Sequence, residues 1–102
     1  MFQVTNRISV KPEFHDEFVK RFEARKGNLA AEPGFVRNLV LRPLDDDGVF
    51  LVQTLWETEA HFEAWVGSPS FRAAHANPPP KDWFAGPSAL EKHEVAVETR
   101  SE

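Results

Sequence analysis

The segment from Trp56 to His75, WETEAHFEAWVGSPSFRAAH, constrains the possible folds of this chain more than any other part of it. It predicts two short helices in succession, because Ser68 is a good helix N-cap and Pro69 fits a first helical position, where its missing N–H has no helical partner. Apolar side chains recur at helical spacing on both sides of that junction. His75 shares the second apolar face, so it is either a core histidine with one satisfied hydrogen bond or a ligand.

Strict alternation from Phe2 to Val10 predicts a first strand with one buried face. Asn6 is the single polar member of that face. A buried amide without a hydrogen bond costs about 1–3 kcal/mol, so its side chain needs a partner. Two interpretations follow: Asn6 pairs with a nearby backbone group, or it points into a pocket and donates to a ligand.

The next element is a helix that begins at Pro12 and ends near Gly27. Its apolar side chains repeat every four residues, at Phe14, Phe18 and Phe22, which indicates one buried face. Acidic residues come early and basic residues late on the opposite face, as the helix dipole favours. On spacing alone, Phe22 is most simply a core residue.

Two β-rich runs follow, from Phe35 to Leu44 and from Val49 to Trp56. The Asp-Gly step between them predicts a hairpin. Much of the second run is apolar on both sides, which is typical of a central or interface strand. Thr58 then provides an N-cap for the helix that carries Phe62 and Trp65.

A proline-rich loop follows His75, and its length is typical of functional loops in small domains. Trp83 and Phe84 are its candidate anchors. A last alternating run predicts a strand from His93 to Thr99.

The resulting order, β-α-β-β-α(α)-β, predicts an α+β fold of the ferredoxin-like type, with an antiparallel sheet and helices on one face. The apolar middle strands leave the other sheet face to be covered, and a second subunit is the expected cover. We therefore expect a homodimer, a dimeric α+β barrel, in which residues 1–102 form a single domain.

Composition excludes several classes of function. The net charge is -4 and no Lys/Arg stripe is present, which argues against nucleic-acid binding. No apolar run approaches the roughly 20 residues that span a bilayer, and the N-terminus lacks a signal-peptide pattern, so no membrane association and a cytoplasmic location are expected. Cysteine is absent, which excludes disulfides, a thiolate nucleophile and cysteine-ligated clusters.

Several segments resemble one known family: TNRISV, RFEARKG, EPGF and LWETEAHFEAWVGSPSFRAAH. They look like the antibiotic-biosynthesis-monooxygenase (ABM) superfamily, and within it like the haem-degrading monooxygenases of the IsdG type. The resemblance covers about residues 2 to 98, and EAWVGSPSFRAAH is its most informative part. The proline-rich loop departs from the family's pattern, which leaves the regiochemistry of ring cleavage open.

The resemblance implies a catalytic trio of Asn6, Trp65 and His75. His75 would be the proximal iron ligand, Asn6 would hydrogen-bond the oxygen on the distal side, and Trp65 would pack against the porphyrin and force it out of plane. The resemblance also implies that Phe22 lines the pocket and that Arg25 reaches a propionate, although an exposed helix arginine is equally well only a solvated charge.

The side chains that can ligate haem iron in this chain agree with the role that the resemblance implies for His75. Haem iron takes an imidazole, thiolate, phenolate or thioether ligand, and the chain has no Cys, no Tyr and one Met, at position 1. Of the four histidines, His75 alone has a strongly apolar setting, whereas His15 and His61 are expected at the surface and His93 among charged residues. A flat macrocycle also suits an apolar wall, which we expect to comprise Phe22, Phe62, Trp65, Phe71 and Val4.

The leading hypothesis is oxidative cleavage of haem, with O₂ and electrons from an external donor or reductase, to an open-chain tetrapyrrole and free iron. Haem would be both cofactor and substrate, and no other metal or flavin is expected. One alternative is a cofactor-independent ABM-type monooxygenase of quinols or polyphenols, since the fold alone does not settle function. The other is a non-catalytic haem-binding dimer.

Overall fold

The computed structural model describes residues 1–24 and 29–102. Its strands and α-helices follow the order β-α-β-β-α-α-β along these residues. The strands are β1 (Phe2–Ile8), β2 (Phe35–Leu41), β3 (Phe50–Trp56) and β4 (Ala89–Glu94), and the helices are α1 (His15–Ala24), α2 (Glu59–Val66) and α3 (Pro69–Ala74).

The strands form one antiparallel sheet in the order β2-β3-β1-β4. The predicted ferredoxin-like fold is thereby confirmed, including the central position of β3. Side chains of directly paired residues share a face of a sheet, so Phe2 and Trp56 lie on one face together with Ile8 and Phe50. The α-helices pack against that face through two hydrophobic clusters.

The two clusters use the aromatic residues that the periodicity singled out. Phe18 of α1 packs on Phe50, with ring centroids 4.8 Å apart, and Trp65 of α2 packs on Trp56 at 5.4 Å. Phe50 and Trp56 are fully buried. The Trp56 indole N–H donates to Thr54 Oγ1 at 2.9 Å, which satisfies its one polar atom inside the core.

The predicted helix caps are present. The Thr58 hydroxyl accepts from the His61 N–H, and the Ser68 hydroxyl accepts from the Phe71 N–H, each at 3.2 Å. Pro69 occupies the first turn of α3, and the helix ends just before His75. The positions of α2 and α3 therefore follow from local capping chemistry that is readable in the sequence.

Several element boundaries differ from the prediction. The last strand runs from Ala89 to Glu94, because β4 can pair only along the length of β1. The Val95 N–H donates to the Met1 carbonyl at 2.8 Å. Beyond that point the alternating run pairs with no strand of the described residues, and Val97 is 84% exposed.

Other elements are shorter than predicted. β1 ends at Ile8, β2 ends at Leu41, and a 3₁₀ turn at Pro12–Phe14 precedes α1. Val10 forms only an isolated bridge with Phe84. The helix end predicted at Gly27 lies outside the described residues.

The loop after His75 is attached at its far end by the two predicted anchors. The Trp83 ring stacks on Phe14 with centroids 5.5 Å apart, and Phe84 packs edge-on against Phe18 at 6.3 Å. The Lys11 N–H donates to the Trp83 carbonyl at 2.8 Å. Within the described ranges, no helix is long and apolar enough to cross a membrane.

Candidate active site

Two adjacent cavities lie between the sheet and the helices, with volumes of about 440 and 430 Å³. Asn6, Val52 and His75 line both of them. The first also borders α1, the end of α3 and the proline-rich loop, through Phe18, Arg21, Phe22, Ala73, Pro78 and Pro79 among others. The second borders β1, α2, α3 and β4, through Val4, Phe62, Trp65, Phe71, Leu90 and Lys92 among others.

His75 sits directly after α3, where a hydrogen bond orients its imidazole. Nδ1 lies 2.9 Å from the Phe71 carbonyl oxygen. A carbonyl only accepts hydrogen bonds, so Nδ1 carries the proton and a neutral ring presents the Nε2 lone pair as a donor to a metal. The ring also stacks on Phe71, with centroids 4.0 Å apart, and lies 6.3 Å from Trp65.

The prediction of a strongly apolar setting for His75 is correct for one side of the ring only. The residue is exposed overall, because its other side faces the cavities. The surface position predicted for His15 is wrong. His15 is 5% exposed, its Nε2 lies 2.9 Å from the Val10 carbonyl oxygen, and its ring meets the Phe50 edge at 5.1 Å. His15 occupies the first position of α1, and this position faces the core. It is therefore a core histidine whose ring nitrogen has a hydrogen-bond partner.

Asn6 projects from the middle of β1, directly opposite Val52 of β3, into the space that the two cavities share. Its side-chain amide has no hydrogen-bond partner within residues 1–24 and 29–102. No polar side-chain atom that is fully buried lacks a partner in those ranges, so the amide is accessible from the cavities. This geometry favours the second interpretation of Asn6, a side chain that is available to a ligand.

Trp65 belongs to the buried core and forms part of the cavity wall. It is 9% exposed, and the Phe71 ring meets it edge-on at 4.8 Å. Phe62 and Phe71 line the second cavity with it, whereas Phe22 lines the first. The structure therefore brings together every predicted site residue except Arg25, which lies outside the described residues.

Among the cavity residues that the sequence prediction did not name, Val52, Arg21 and Lys92 bear most directly on ligand binding. Val52 is an ordinary apolar position in a central strand, and only its pairing with Asn6 places it at the site. Among the described residues, Arg21 is the cation that borders the first cavity and Lys92 is the cation that borders the second. Little in the sequence indicated either cation: Arg21 precedes Phe22 on the first helix, and Lys92 lies just before the start predicted for the last strand, at His93.

No group of three or more His, Asp or Glu side chains is placed to hold a metal ion in the part of the chain that the structure describes. His75 is thus a single metal donor among apolar side chains. An imidazole in a cleft with aromatic walls fits haem, which brings its own equatorial nitrogen donors and requires an axial ligand from the protein.

The sequence profile of the family described as Antibiotic biosynthesis monooxygenase matches residues 1–77. The chain belongs to the antibiotic biosynthesis monooxygenase family. The matched range includes β1, β2, β3 and all three α-helices, and therefore Asn6, Trp65 and His75.

Among curated members of this ABM family, the chain is similar to a "Heme oxygenase (staphylobilin-producing)" from Staphylococcus haemolyticus. The two are 41% identical over 80 residues, which cover 76% of this chain and 75% of the relative. It is also similar to a "Heme oxygenase (mycobilin-producing)" from Mycobacterium tuberculosis, at 35% identity over 86 residues that cover 84% and 81% of the two chains.

Solved structures of ABM proteins share this fold over nearly the whole chain. The heme-degrader MhuD from Mycobacterium tuberculosis, solved with two hemes bound in its active site, aligns with a TM-score of 0.80 at 30% identity. The alignment covers 98% of this chain and 100% of that one. A putative antibiotic biosynthesis monooxygenase from Bacillus cereus aligns equally well at 22% identity, which shows the fold alone.

Proposed function

We propose that this protein is a haem-degrading monooxygenase. It binds haem in the cleft between the sheet and α1–α3 and cleaves the porphyrin ring oxidatively, using O₂ and electrons from an external donor, to an open-chain tetrapyrrole and free iron. The haem oxygenases to which the chain is 35–41% identical support this activity.

The observation that carries the proposal is the state of His75. The Phe71 carbonyl holds the Nδ1 proton, which fixes the tautomer and leaves Nε2 for iron. Such an outer partner is typical of metal-bound histidines, because it fixes the ring orientation and raises the basicity of the ligand. When bound, haem supplies the oxygen chemistry, and the protein supplies orientation and shape.

Asn6 and Trp65 have distinct roles in this proposal. The Asn6 amide is the accessible polar side chain at the centre of the sheet face, and it orients oxygen by hydrogen bonding. Trp65 is held by Trp56 and Phe71 on two sides, so its ring resists displacement and would form a rigid wall against a bound macrocycle. Phe22 and Phe62 make the walls apolar and exclude water from the reacting carbon atoms.

The proposal extends to assembly and partners. We propose a homodimer that buries the open sheet face, one functional domain spanning residues 1–102, and an electron donor such as a reductase. The sheet supports the single domain, since β4 lies beyond the family match and still pairs with β1. A cytoplasmic location remains an expectation from the sequence.

The test is a hemin titration of the purified protein followed by reduction in air. We expect a saturable shift of the Soret band, and then its loss when ascorbate is added, with release of iron that a ferrous chelator detects. Catalase in the assay excludes ring cleavage by free hydrogen peroxide.

Each alternative has its own outcome in this experiment. If hemin binds and the Soret band persists through reductant and O₂, the protein is a non-catalytic haem-binding dimer. If hemin does not bind, haem degradation is excluded, and turnover of a quinol in the absence of any cofactor would identify a cofactor-independent monooxygenase.

A further inference from the structure

The segment that follows His75 is held to the body of the protein at both ends. At its far end, the Lys11 N–H donates to the Trp83 carbonyl at 2.8 Å and the Ala85 N–H donates to the Ser9 carbonyl at 2.9 Å. At its near end, the Arg21 side chain of α1 donates to the carbonyl of Asn77, two residues after His75.

Arg21 also reaches the far end of the same segment. Its guanidinium lies over the Trp83 ring, 5.9 Å from the ring centroid, and Trp83 in turn stacks on Phe14. Cations are attracted to aromatic faces at this distance. One side chain on α1 therefore bridges the beginning and the end of the proline-rich loop.

The bridge forms part of the wall of the first cavity. Arg21, Asn77, Pro78 and Pro79 line that cavity together with His75. Proline has a restricted backbone and no N–H group, so the loop is stiff and cannot be held through its own proline amides. A contact at Asn77 consequently determines where the loop departs from the end of α3.

We propose that Arg21 is the positioning residue for His75. This inference rests on the proposed function and adds to it a residue outside the predicted catalytic trio. The bond from Arg21 to the Asn77 carbonyl holds the end of α3 against α1. It thereby keeps the imidazole in its orientation toward the cavities and the loop closed against a bound haem.

The competing role for Arg21 is direct binding of a haem propionate. The guanidinium already binds a carbonyl oxygen and an aromatic face, which favours the positioning role. Lys92 differs from Arg21 in this respect. Its ammonium lies over the Phe62 ring, 5.8 Å from the ring centroid, and has no ion-pair partner within the described residues. Hemin and its dimethyl ester distinguish the two roles, because the ester lacks the carboxylates.

The test compares wild-type protein with Arg21→Met, Arg21→Lys and the control Arg42→Met. Methionine keeps an apolar stem and removes the donor, whereas lysine restores a cation that can donate to Asn77. Arg42 is a suitable control, since it pairs with Asp16 of α1 at 2.8 Å and does not border the two cavities.

Three measurements are made on these proteins. The dissociation rates of hemin and of hemin dimethyl ester are measured from the transfer of each ligand to apomyoglobin. The iron–histidine stretching band of the ferrous complex is recorded by resonance Raman spectroscopy. Amide hydrogen exchange at His75 and Ala76 is measured without hemin, because these N–H groups bond the end of α3.

For Arg21→Met we expect dissociation of both hemin and its ester to accelerate roughly tenfold to a hundredfold, as loss of a hydrogen bond from a charged donor predicts. The iron–histidine band should shift or broaden, and exchange at His75 and Ala76 should accelerate by a similar factor. Arg21→Lys should restore all three values toward wild type, and Arg42→Met should leave them unchanged.

Unchanged dissociation and exchange in Arg21→Met would overturn the proposal. Acceleration for hemin but not for its ester would also overturn it, and would make Arg21 a ligand of the propionate. If wild-type protein binds no hemin, the proposed function fails, and amide exchange alone decides whether Arg21 positions His75.

Discussion

At the scale of single residues, the site depends on hydrogen bonds that are made and hydrogen bonds that are left available. His75 has one ring nitrogen engaged by the Phe71 carbonyl, and Asn6 has an amide that no described residue binds. A buried polar group without a partner is costly, so an available amide is retained where a ligand or solvent satisfies it. These two residues are the direct targets for mutation.

His75→Ala should abolish the spectrum of a five-coordinate, histidine-ligated haem complex. The substitution removes the imidazole in the cleft while leaving the apolar walls that contact the macrocycle. Added imidazole should restore the spectrum in part, and His61→Ala, which removes a histidine bonded to Thr58, serves as the control. Retention of the histidine-ligated spectrum in His75→Ala would mean that another residue ligates iron.

Asn6→Ala should leave hemin affinity nearly unchanged and lower the rate of haem degradation by roughly tenfold or more, as expected for removal of a preorganised donor. Single-turnover absorbance decay measures the rate, and hemin titration measures the affinity. Gln3→Ala on the opposite face of β1 is the matched control. If Asn6→Ala unfolds the protein instead, the amide has a structural role.

Asp16 gives a test of the surface electrostatics of α1. Its hydrogen bond to Arg42, followed by the charge of that guanidinium, lowers the pKa of the carboxyl below its ordinary value of 3.8. The pairing therefore stabilises the fold above about pH 3.8 and is lost as the pH falls through the lower folded-state pKa. NMR titration should show this pKa return toward 3.8 in Arg42→Met; no change would exclude the pairing in solution.

At the scale of elements, α3 is a helix of 6 residues that ends directly before His75. A helix this short is not stable by itself, and its position depends on its caps and on packing. The Ser68 hydroxyl accepts from the Phe71 N–H and donates to the Trp65 carbonyl at 2.6 Å, so it joins α2 to α3. The same residue pair, Trp65 and Phe71, packs around the imidazole.

Ser68→Ala should lower the free energy of unfolding by about 1 kcal/mol, the usual cost of losing an N-cap. It should also weaken hemin binding, because the orientation of His75 depends on α3. Urea denaturation and hemin titration measure the two effects, and Ser70→Ala inside α3 is the control. Loss of stability without any change in hemin affinity would show that the cap does not position His75.

At the scale of the whole molecule, the two faces of the sheet differ, because the helices cover only one of them. The helices cover the face that carries Asn6 and Val52, and residues one step out of phase lie on the other face. Leu39 and Leu41 belong to that open face and are each 40% exposed. Contiguous apolar surface of this kind is typical of a protein–protein interface.

Leu39→Glu and Leu41→Glu should therefore shift the proposed dimer to monomers, since burying an unpaired carboxylate is strongly unfavourable. Sedimentation velocity measures the assembly state. Leu44→Glu is the matched control, because Leu44 is fully exposed in the loop that follows β2. A wild-type monomer at micromolar concentration would contradict the dimer, and a persistent dimer in both variants would place the interface elsewhere.

The sequence by itself determined the order of elements, the caps and the aromatic core. Alternation and helical spacing report which side chains face inward, so β1, β3, α1, Thr58 and Ser68 were predictable from local chemistry. The resemblance to a family supplied the grouping of Asn6, Trp65 and His75, which lie too far apart in the chain for any spacing rule to connect them.

Only the tertiary structure decided where elements end and which residues share the cleft. β4 stops where β1 provides no further partner, and the alternating segment around Val97 therefore forms no strand with any described residue. The buried position of His15 and the contact of Arg21 with Asn77 arise from packing between distant segments. A local sequence pattern carries no information about such contacts, because their partners are set by the way the whole chain folds.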